Sequence, residues 1–363
     1  MRVLTVFGTR PETIKMAPVI RAARDADIET RICVTAQHRD MLDQMMEVFG
    51  LNADFDLDLM RENQSPLSVA ARVLEGLGGV IQSFRPDWLL VQGDTTTAFA
   101  AAFVGYHERV RVGHIEAGLR TSDKWRPFPE EMNRRLVSTL ADLHFAPTRR
   151  AADALMAEGV SAEQICVTGN TVVDALRGIL RRPASFKDAR LSSIKGRMVL
   201  LTAHRRESFG EPLEQICWAA CDLLERFPDV SVVFPVHPNP HVKETTQRVL
   251  GGRSRVILTG PLPYPDFVHL MKSAALILSD SGGVQEEAPS VGTRVLILRE
   301  VTERPEAVES GWATLVGTSR EKIVEHAAAW LENSERGIPR SRENPFGDGQ
   351  ASGRIVRALQ QFS

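Results

Sequence analysis

The sequence has few cysteines, and their spacing excludes the usual structural roles of this residue. Four occur among 363 residues, Cys33, Cys166, Cys217 and Cys221, and no two of them form a CxxC pair. Because no matching run of histidine or cysteine accompanies them, we predict small buried apolar side chains rather than ligands or disulfides. No His, Cys, Asp or Glu spacing fits a zinc pattern and no acidic pair favours magnesium, so we expect no metal site.

Long apolar runs and an excess of one charge are also missing. No stretch is apolar enough to span a bilayer, and the chain opens on a predicted strand, not on a charged and then apolar leader. The 44 Lys and Arg nearly balance the 46 Asp and Glu, giving a formal net charge of -2. This balance argues against a nucleic-acid-binding protein and against broad attraction to membrane surfaces. We expect a cytoplasmic protein, with room for a local basic site that binds a small anion.

Short apolar runs that alternate with amphipathic helical patterns dominate the sequence, and they fall into two series. The predicted strands are Val3–Phe7, Glu29–Val34, Trp88–Val91, Arg111–Ile115, Leu143–Ala146 and Gln164–Val167, then Met198–Thr202, Ser231–Pro235, Val256–Leu258, Ala275–Leu278, Arg294–Leu298 and Ala313–Val316. Strands that alternate with helices predict parallel sheets covered on both faces. The fold class is therefore α/β, with two Rossmann-like domains.

The predicted boundaries follow from a polar, basic stretch that separates the two series. We expect an N-terminal domain over residues 1–180, a C-terminal domain over 181–345, and a final helix over 346–363 that packs back on the N-terminal domain. Ligands of such folds bind outside the carboxyl ends of the strands. Each polar motif described below follows a predicted strand, so all of them can face one cleft between the domains.

The most informative motif is a glycine turn between a strand and a helix, Ser279-Asp280-Ser281-Gly282-Gly283, followed by Val-Gln-Glu-Glu. Glycines let backbone N–H groups approach a ligand, and the helix N-terminus adds positive partial charge. A phosphate or diphosphate fits this site, and a glutamate in the following turns could accept both hydroxyls of a ribose. The alternative is a plain helix with Ser281 as its N-cap.

The first strand is followed by a second candidate anion site, in the segment GTRPETIK. Pro11 suits the first turn of a helix, which places Arg10 and Lys15 near the helix N-terminus. Two cations and a helix dipole can hold a diphosphate or a sugar oxygen. Alternatively, Lys15 points to solvent.

Three acidic residues follow other predicted strands in the first half of the chain: Asp94, Glu116 and Glu130. Each has a structural alternative: Asp94 as an N-cap, Glu116 as an ion-pair partner of Arg120, and Glu130 as a stabiliser of the helix dipole. Three acids at such positions exceed what capping requires. Their cluster should raise some carboxyl pKa values and support acid–base chemistry.

Cations and histidines follow the strands of the second half. His204 comes directly after a predicted strand and is followed by two arginines, which indicates phosphate. His237 lies in a turn after another strand, and Arg304 offers one more cation. A lone histidine is more often structural, but this run favours a functional role for His204.

As an ordered set, these motifs resemble the non-hydrolysing bacterial UDP-N-acetylglucosamine 2-epimerases. The matching segments are GTRPETIK, QGDTTT, HIEAGLRT, PFPEEMNR, TAHRRES, HPNP, SDSGGVQEEAPSVG and TERPEAVESG, which span nearly the whole chain. The resemblance implies the glycosyltransferase-B type of fold, with the active site in the interdomain cleft, and a homodimer.

The resemblance also implies the reaction, the interconversion of UDP-GlcNAc and UDP-ManNAc without NAD or metal. UDP is eliminated in the anti sense to give 2-acetamidoglucal and is then added back with inverted configuration at C2. Carried over by motif, Asp94, Glu116 and Glu130 surround C2, and His204 assists departure of the UDP phosphate. Ser208 stands where many relatives have an asparagine.

The nucleotide contacts are implied in the same way. The resemblance assigns the diphosphate to Arg10, Ser281, Gly282 and Gly283. It assigns the ribose to Glu287 and the uracil to Phe267, and it expects Lys15 and Arg304 near the sugar and its phosphates.

Some bacterial relatives have a second, activating site for UDP-GlcNAc, which this chain matches only in part. Gln37, His38 and His237 agree with the pattern, whereas Asp40 and Asn63 stand where Gln and Arg are expected. The resemblance thus marks the first three residues as candidates for allosteric binding.

Three other functions remain open from the sequence. A C2 epimerase of UDP-linked diacetamido-uronic acids would share the catalytic motifs and differ in the pocket around C3 and C6. A glycosyltransferase of the same fold would share the glycine turn but has no need of three acids in the first domain. A non-catalytic UDP-sugar sensor would not require Asp94, Glu116, Glu130 and His204.

Overall fold

The computed structural model describes residues 1–35, 39–59, 64–121, 123–205, 208–333 and 343–362, with the backbone alone for residues 39–41. By its internal contacts the chain forms two compact units. The first comprises Met1–Ala175 together with Phe346–Ser363, and the second comprises Leu176–Pro345. Each unit is an α/β domain with one parallel sheet, which confirms the predicted fold class.

Thirteen strands are present in the described part of the chain. They are β1 (Arg2–Phe7), β2 (Glu29–Val34), β3 (Phe55–Asp56), β4 (Trp88–Gln92), β5 (Arg111–Ile115), β6 (Leu143–Ala146), β7 (Ile165–Val167), β8 (Arg197–Thr202), β9 (Val230–Pro235), β10 (Val256–Thr259), β11 (Leu276–Ser279), β12 (Val295–Ile297) and β13 (Ala313–Leu315). Every apolar run that we predicted to be a strand forms one, and each end agrees with the prediction or differs from it by one residue. The two-residue strand β3 was not predicted, because two residues carry no periodicity.

The helices cover the sheets on both faces. They are α1 (Arg10–Asp25), α2 (Arg39–Phe49), α3 (Pro66–Phe84), α4 (Thr96–His107), α5 (Glu130–Leu140), α6 (Arg149–Ala157), α7 (Thr171–Leu180), α8 (Ala189–Ser192), α9 (Glu211–Arg226), α10 (Pro240–Leu250), α11 (Tyr264–Ser273), α12 (Gly282–Val291), α13 (Pro305–Glu309), α14 (Arg320–Asn333) and α15 (Ala351–Gln361). No helix in the described ranges is both long and apolar enough to cross a membrane.

The two sheets share one strand order. The first reads β3-β2-β1-β4-β5-β6-β7 and the second reads β10-β9-β8-β11-β12-β13. In each sheet the first three strands are added toward one edge and the later strands toward the other. The strand order therefore reverses between β1 and β4 in the first sheet and between β8 and β11 in the second. Open α/β sheets bind ligands outside the carboxyl ends of the strands at such a reversal.

Strand composition explains why both sheets lie in the interior. Val3, Leu4, Val6 and Phe7 of β1 are fully buried, although they alternate between the two faces of the sheet. A strand covered by helices on both faces is apolar throughout, and this is the pattern that the sequence shows. The polar sequence motifs described above lie mainly in the turns beyond the ends of these strands.

The C-terminal helix α15 belongs to the first unit and is anchored there by an acid on α7. The carboxylate of Asp174 accepts hydrogen bonds from the backbone N–H of Ala351 at 3.2 Å and of Ser352 at 2.9 Å, and from the Ser352 hydroxyl at 2.5 Å. Helix N-termini have unsatisfied N–H donors, so a carboxylate from another helix can act as their cap. Helix α15 also packs along α1.

We predict that Asp174→Ala destabilises the first unit by about 1–2 kcal/mol, because the N–H donors of α15 lose their acceptor. A lower melting temperature and faster protease cleavage within residues 343–362 would report this loss. Asp153→Ala is the matched control, since Asp153 is an exposed acid on α6. Equal effects of the two substitutions would contradict the capping role.

Candidate active site

Glu116 lies just beyond β5 and is held by donors from three other parts of the first unit. Its backbone has φ 65°, in the left-handed region that non-glycine residues rarely adopt. The Lys15 ammonium lies 2.6 Å from both carboxylate oxygens, the Gln92 amide donates to Oε2, and the Asn170 amide donates to Oε1 at 3.5 Å. Because both oxygens act as acceptors, the contacts suit an ionised carboxylate.

Two structural alternatives from the sequence are wrong at this position. Arg120 does not pair with Glu116, because its guanidinium donates to the carboxylate of Glu158 at 2.9 and 2.7 Å. Lys15 does not point to solvent, since its side chain is only 12% exposed in its contact with Glu116. The sequence missed Gln92 and Asn170 as partners, although Gln92 ends the strand next to β5.

Asp94 follows β4 and is not the N-cap of α4, which is another correction. Thr95 takes that role, since its hydroxyl accepts the N–H of Ala98 at 3.0 Å. The Asp94 carboxylate instead forms an ion pair with Arg134 of α5, and its carbonyl accepts the Asn133 amide at 3.0 Å. Two contacts from α5 therefore fix this acid in place.

A buried histidine supports the turn that carries Asp94. His114 of β5 lies with Nε2 2.8 Å from the carbonyl of Gly93, and burial lowers the pKa of His114 to about 3. The imidazole is therefore neutral at neutral pH, and the carbonyl requires the proton to be on Nε2. His114 acts as a fixed donor beneath the turn, a role that its place in the strand did not reveal.

Glu12 is a buried acid that sequence analysis did not select. One oxygen accepts the N–H of Gly8 at 3.0 Å, the N–H of Thr9 at 2.8 Å and the Thr9 hydroxyl at 2.7 Å. The other accepts the Thr95 hydroxyl at 2.6 Å. Burial raises the pKa of Glu12 despite these four hydrogen bonds. This side chain joins the turn after β1 to the turn after β4, at the reversal of the first sheet.

Asp94 and Glu130 line the same open pocket, which has a volume of about 430 Å³. Glu130 is the first residue of α5, in its acidic first turn as predicted. Thr9 and Pro11, the two neighbours of Arg10 in the chain, line the pocket as well. Glu116 adjoins the turn that carries Asp94, because a Cβ atom on Gly93 would lie 4.0 Å from its Oε2. The first unit thus brings the predicted acids to one edge of the sheet.

In the second unit, His204 follows β8 and contacts Asp280, which follows the neighbouring strand β11. His204 Nδ1 lies 3.2 Å from Oδ1 of Asp280, and the backbone N–H of His204 donates to Oδ2 at 2.9 Å. The imidazole of His237 stacks on that of His204, with ring centroids 5.8 Å apart and planes 21° from parallel. The predicted allosteric residue His237 therefore lies beside the predicted catalytic one, whereas Gln37 and His38 lie outside the described residues.

The glycine turn forms the N-terminus of α12. Ser281 occupies the N-cap position, as the structural alternative proposed, but its side chain makes no capping bond within the described chain. A Cβ atom on Gly282 would lie 2.9 Å from Nη1 of Arg304, so only glycine allows this approach of the guanidinium. At Gly283 the nearest atom to such a Cβ would be Oε1 of Glu287, at 3.8 Å.

The two adjacent glutamates of α12 have different surroundings. Glu286 accepts Nε of Arg304 at 2.8 Å, while Glu287 lies toward Gly283. Arg304 also lies 3.4 Å from Glu303, whose pKa is lowered to about 2 because Arg299 and Arg304 outweigh the effect of burial. Glu286 and Glu303 thus hold the guanidinium of Arg304 beside the glycine turn. Sequence analysis did not identify Glu286 as a partner of Arg304.

The remaining predicted contact residue, Phe267, lies half-buried on α11, the helix that packs against α12. In the described part of the chain, no three His, Cys, Asp or Glu side chains are grouped as metal ligands would be. The described residues at the two sheet edges include carboxylates, an imidazole, cations and backbone donors.

Known proteins with the same organisation identify the family. The family model described as UDP-N-acetylglucosamine 2-epimerase matches residues 21–360. A Yersinia pestis protein named UDP-N-acetylglucosamine 2-epimerase is 49% identical over 370 residues, covering 99% of this chain and 98% of that protein. The structure of UDP-GlcNAc 2-epimerase from Neisseria meningitidis bound to UDP-GlcNAc aligns with a TM-score of 0.90 and 43% identity, covering 99% of this chain and 100% of that one. The Methanocaldococcus jannaschii UDP-GlcNAc 2-epimerase in complex with UDP-GlcNAc and UDP aligns with a TM-score of 0.84 and 34% identity, covering 99% and 100%.

The raised pKa of Glu12 predicts a pH-dependent contribution to stability. The stabilisation from its protonated carboxyl is present below the unfolded value of 4.5 and is lost as the pH rises through the higher folded value. Relative to Glu12→Gln, whose side chain does not titrate, the wild type should lose about 2–4 °C in melting temperature between pH 4 and pH 7.

Glu158→Gln is the matched control, with the opposite sign. The hydrogen bond from Arg120 lowers the pKa of Glu158, so the wild type should gain stability over this variant as the pH rises. Melting curves across the pH range check both slopes. A wild-type loss of the same sign against both variants would contradict the assignment for Glu12.

Proposed function

Because this chain belongs to the UDP-N-acetylglucosamine 2-epimerase family, whose members are isomerases, we propose that it interconverts UDP-GlcNAc and UDP-ManNAc. The observation that carries the proposal is the group of acids at the edge of the first sheet: Asp94 and Glu130 in one pocket, with Glu116 at the adjoining turn. The relative from Neisseria meningitidis was solved with UDP-GlcNAc bound, which supports the same substrate here.

The proposed reaction proceeds by elimination and re-addition. A carboxylate removes the proton from C2 while the bond from C1 to the UDP oxygen breaks. The electrons of the C–H bond form the double bond of 2-acetamidoglucal, and the electrons of the C–O bond leave with UDP. UDP then adds back to C1 as a proton is delivered to the other face of C2. The C2 proton is weakly acidic, so stabilisation of the leaving diphosphate must lower the barrier as well.

The acids of the first unit suit the proton transfers at C2. Glu116 accepts hydrogen bonds through both oxygens from Lys15 and two amides, which fixes a base in one orientation. Asp94 is tied to Arg134, while Glu130 lies in the same pocket on a helix N-terminus. We assign Asp94, Glu116 and Glu130 to removal and return of the C2 proton. In this assignment Lys15 acts through Glu116 in addition to its expected place near the sugar.

The second unit suits binding of the nucleotide and departure of its diphosphate. Backbone N–H groups at the start of α12 and the guanidinium of Arg304 are close together, so negative charge is favoured there. Ser281, Gly282 and Gly283 are assigned to the diphosphate together with Arg10 of the first unit. Glu287 is assigned to the ribose, Phe267 to the uracil and His204 to the leaving phosphate.

Other expectations from the family resemblance belong to the same proposal. We expect the protein to act as a homodimer in the cytoplasm and to need neither NAD nor a metal ion. Binding of UDP-GlcNAc as an activator at Gln37, His38 and His237 is a further expectation. For His237 there are thus two alternative roles, binding of the activator and direct support of His204, whose ring it contacts.

We predict that the purified protein converts UDP-GlcNAc alone into UDP-ManNAc, and that in deuterated water the product carries deuterium at C2. Removal and return of the proton by solvent-exchangeable carboxylates requires this incorporation. Proton NMR of the sugar follows both the new isomer and the loss of the C2 proton signal. A glycosyltransferase would need an acceptor, so conversion without one separates the two functions. A product that retains its C2 protium would contradict the elimination.

We predict that Asp94→Asn, Glu116→Gln and Glu130→Gln each lower turnover about 10²–10⁴-fold while UDP still binds. Each substitution keeps the shape of the side chain and removes its ability to carry a proton. Turnover is measured by NMR and UDP binding by calorimetry. Glu158→Gln is the control, because it removes a carboxylate from an ion pair with Arg120 outside this pocket. An acid whose variant turns over at nearly the wild-type rate has a structural role.

A further inference from the structure

Asp280 is a fully buried carboxylate that the proposed reaction does not yet use. Its Oδ2 accepts the backbone N–H groups of His204 and Arg205, both at 2.9 Å, and the Ser208 hydroxyl at 3.2 Å. Its Oδ1 accepts no well-aligned hydrogen bond within the described chain and lies 3.2 Å from Nδ1 of His204, which is an ion-pair contact. The two oxygens thus face different partners: one faces only fixed donors, and the other faces a titratable ring.

The carboxyl of Asp280 is ionised despite its burial. Burial alone would raise its pKa, but the contact with His204 and the two backbone N–H donors outweigh that effect and lower the pKa. A buried negative charge is stabilised most by a neighbouring positive one. The only side-chain nitrogen that faces Oδ1 in the described residues is Nδ1 of His204, so the ionised acid favours a proton on that nitrogen.

The surroundings of His204 limit what its ring can do. Its side chain is 42% exposed, so Nε2 can reach a ligand while Nδ1 faces Asp280. His237, in the turn after β9, stacks on the ring of His204, and its own Nδ1 accepts the N–H of Asn239 at 3.2 Å. Burial first, and then the charge of His204, lower the pKa of His237, so the stacked ring is neutral at neutral pH. Among the described residues, the charged or titratable groups that contact His204 or adjoin it in the chain are Asp280, His237 and Arg205.

We propose that Asp280 is a positioning residue that holds His204 with Nδ1–H toward Oδ1. When the ring carries its second proton, it then presents Nε2–H to the departing diphosphate. The inference rests on the proposed role of His204 in the epimerase reaction. When the bond from C1 to oxygen breaks, the electron pair stays on the β-phosphate oxygen of UDP. The Nε2 proton moves to that oxygen, or hydrogen-bonds to it, and returns to Nε2 when UDP adds back.

Ser208 completes the set of donors around Asp280, which explains the serine found where many relatives of the resembled family have asparagine. Ser208 is buried and its hydroxyl donates to Oδ2. An asparagine amide can donate in the same direction, so either residue satisfies the carboxylate.

Asp280→Asn distinguishes two roles of Asp280: positioning the ring of His204, and supporting the turn after β8 by accepting its backbone N–H groups. Two backbone N–H groups and a hydroxyl face Oδ2, so the asparagine oxygen must occupy that site and its NH₂ must face His204. The amide then donates to Nδ1, which forces the neutral ring to carry its proton on Nε2. The loop keeps its acceptor, while the histidine loses its negative partner.

The test uses protein labelled with ¹⁵N-histidine and needs no substrate for its first part. The ¹⁵N signals of His204 are assigned by their loss in His204→Gln. In the neutral ring, their chemical shifts should show the proton on Nδ1 in the wild type and on Nε2 in Asp280→Asn. A wild-type ring that carries its neutral proton on Nε2 overturns the proposal, even if the variant does not fold. Asp229→Asn is the matched control, since it breaks the Arg197 ion pair at the opposite end of β8 and should leave His204 unchanged.

Kinetics with UDP-GlcNAc form the second part. Asp280→Asn should lower kcat about 10²-fold with little change in KM, because substrate binding does not depend on the orientation of His204 whereas departure of the diphosphate does. In the His204→Gln background the same substitution should change kcat less than about 3-fold, because a residue that acts through His204 has nothing left to position. Equal losses in both backgrounds would overturn the proposal. A wild type that shows Nδ1–H but never converts UDP-GlcNAc would instead refute the proposed function.

Discussion

A carboxylate at the end of a buried parallel strand must be surrounded by donors, because the water that would otherwise solvate it is excluded. Both units are organised by this requirement. Glu116, beyond the end of β5, is contacted by an ammonium and two amides. Asp280, beyond the end of β11, is contacted by two backbone N–H groups, a hydroxyl and an imidazole. Glu12 takes four neutral donors from two turns. Each acid therefore fixes the conformation of the turns that supply its donors.

The repeated strand order explains why these turns meet. In both sheets the first strand of the unit lies beside the fourth, so residues far apart in the chain follow neighbouring strands. Lys15 and Glu116 are 101 positions apart, and His204 and Asp280 are 76 apart, yet each pair is in contact. The reversal of winding leaves a gap between helices at this edge, where a ligand can approach backbone donors and helix N-termini.

Fixed surroundings have a chemical consequence. An acid or imidazole that already lies in its working orientation needs little reorganisation when charge develops in the substrate. Glu116 even adopts a left-handed backbone, a cost that its clamp by Lys15, Gln92 and Asn170 offsets. The neutral rings of His114 and His237 serve in the same way, the first beneath the turn of Asp94 and the second against His204.

The sequence by itself determined the elements, since apolar strands covered on both faces and capped helices are written in local composition. It also located the polar residues at strand ends, including Asp94, Glu116, Glu130 and His204. Only the tertiary structure decided the pairings, because a contact between two strand ends depends on strand order, which local patterns do not encode. Thus Lys15 rather than Arg120 meets Glu116, Thr95 rather than Asp94 caps α4, and Asp280 meets His204. Sequence analysis did not select Glu12, because burial of a polar side chain depends on tertiary packing and not on local sequence.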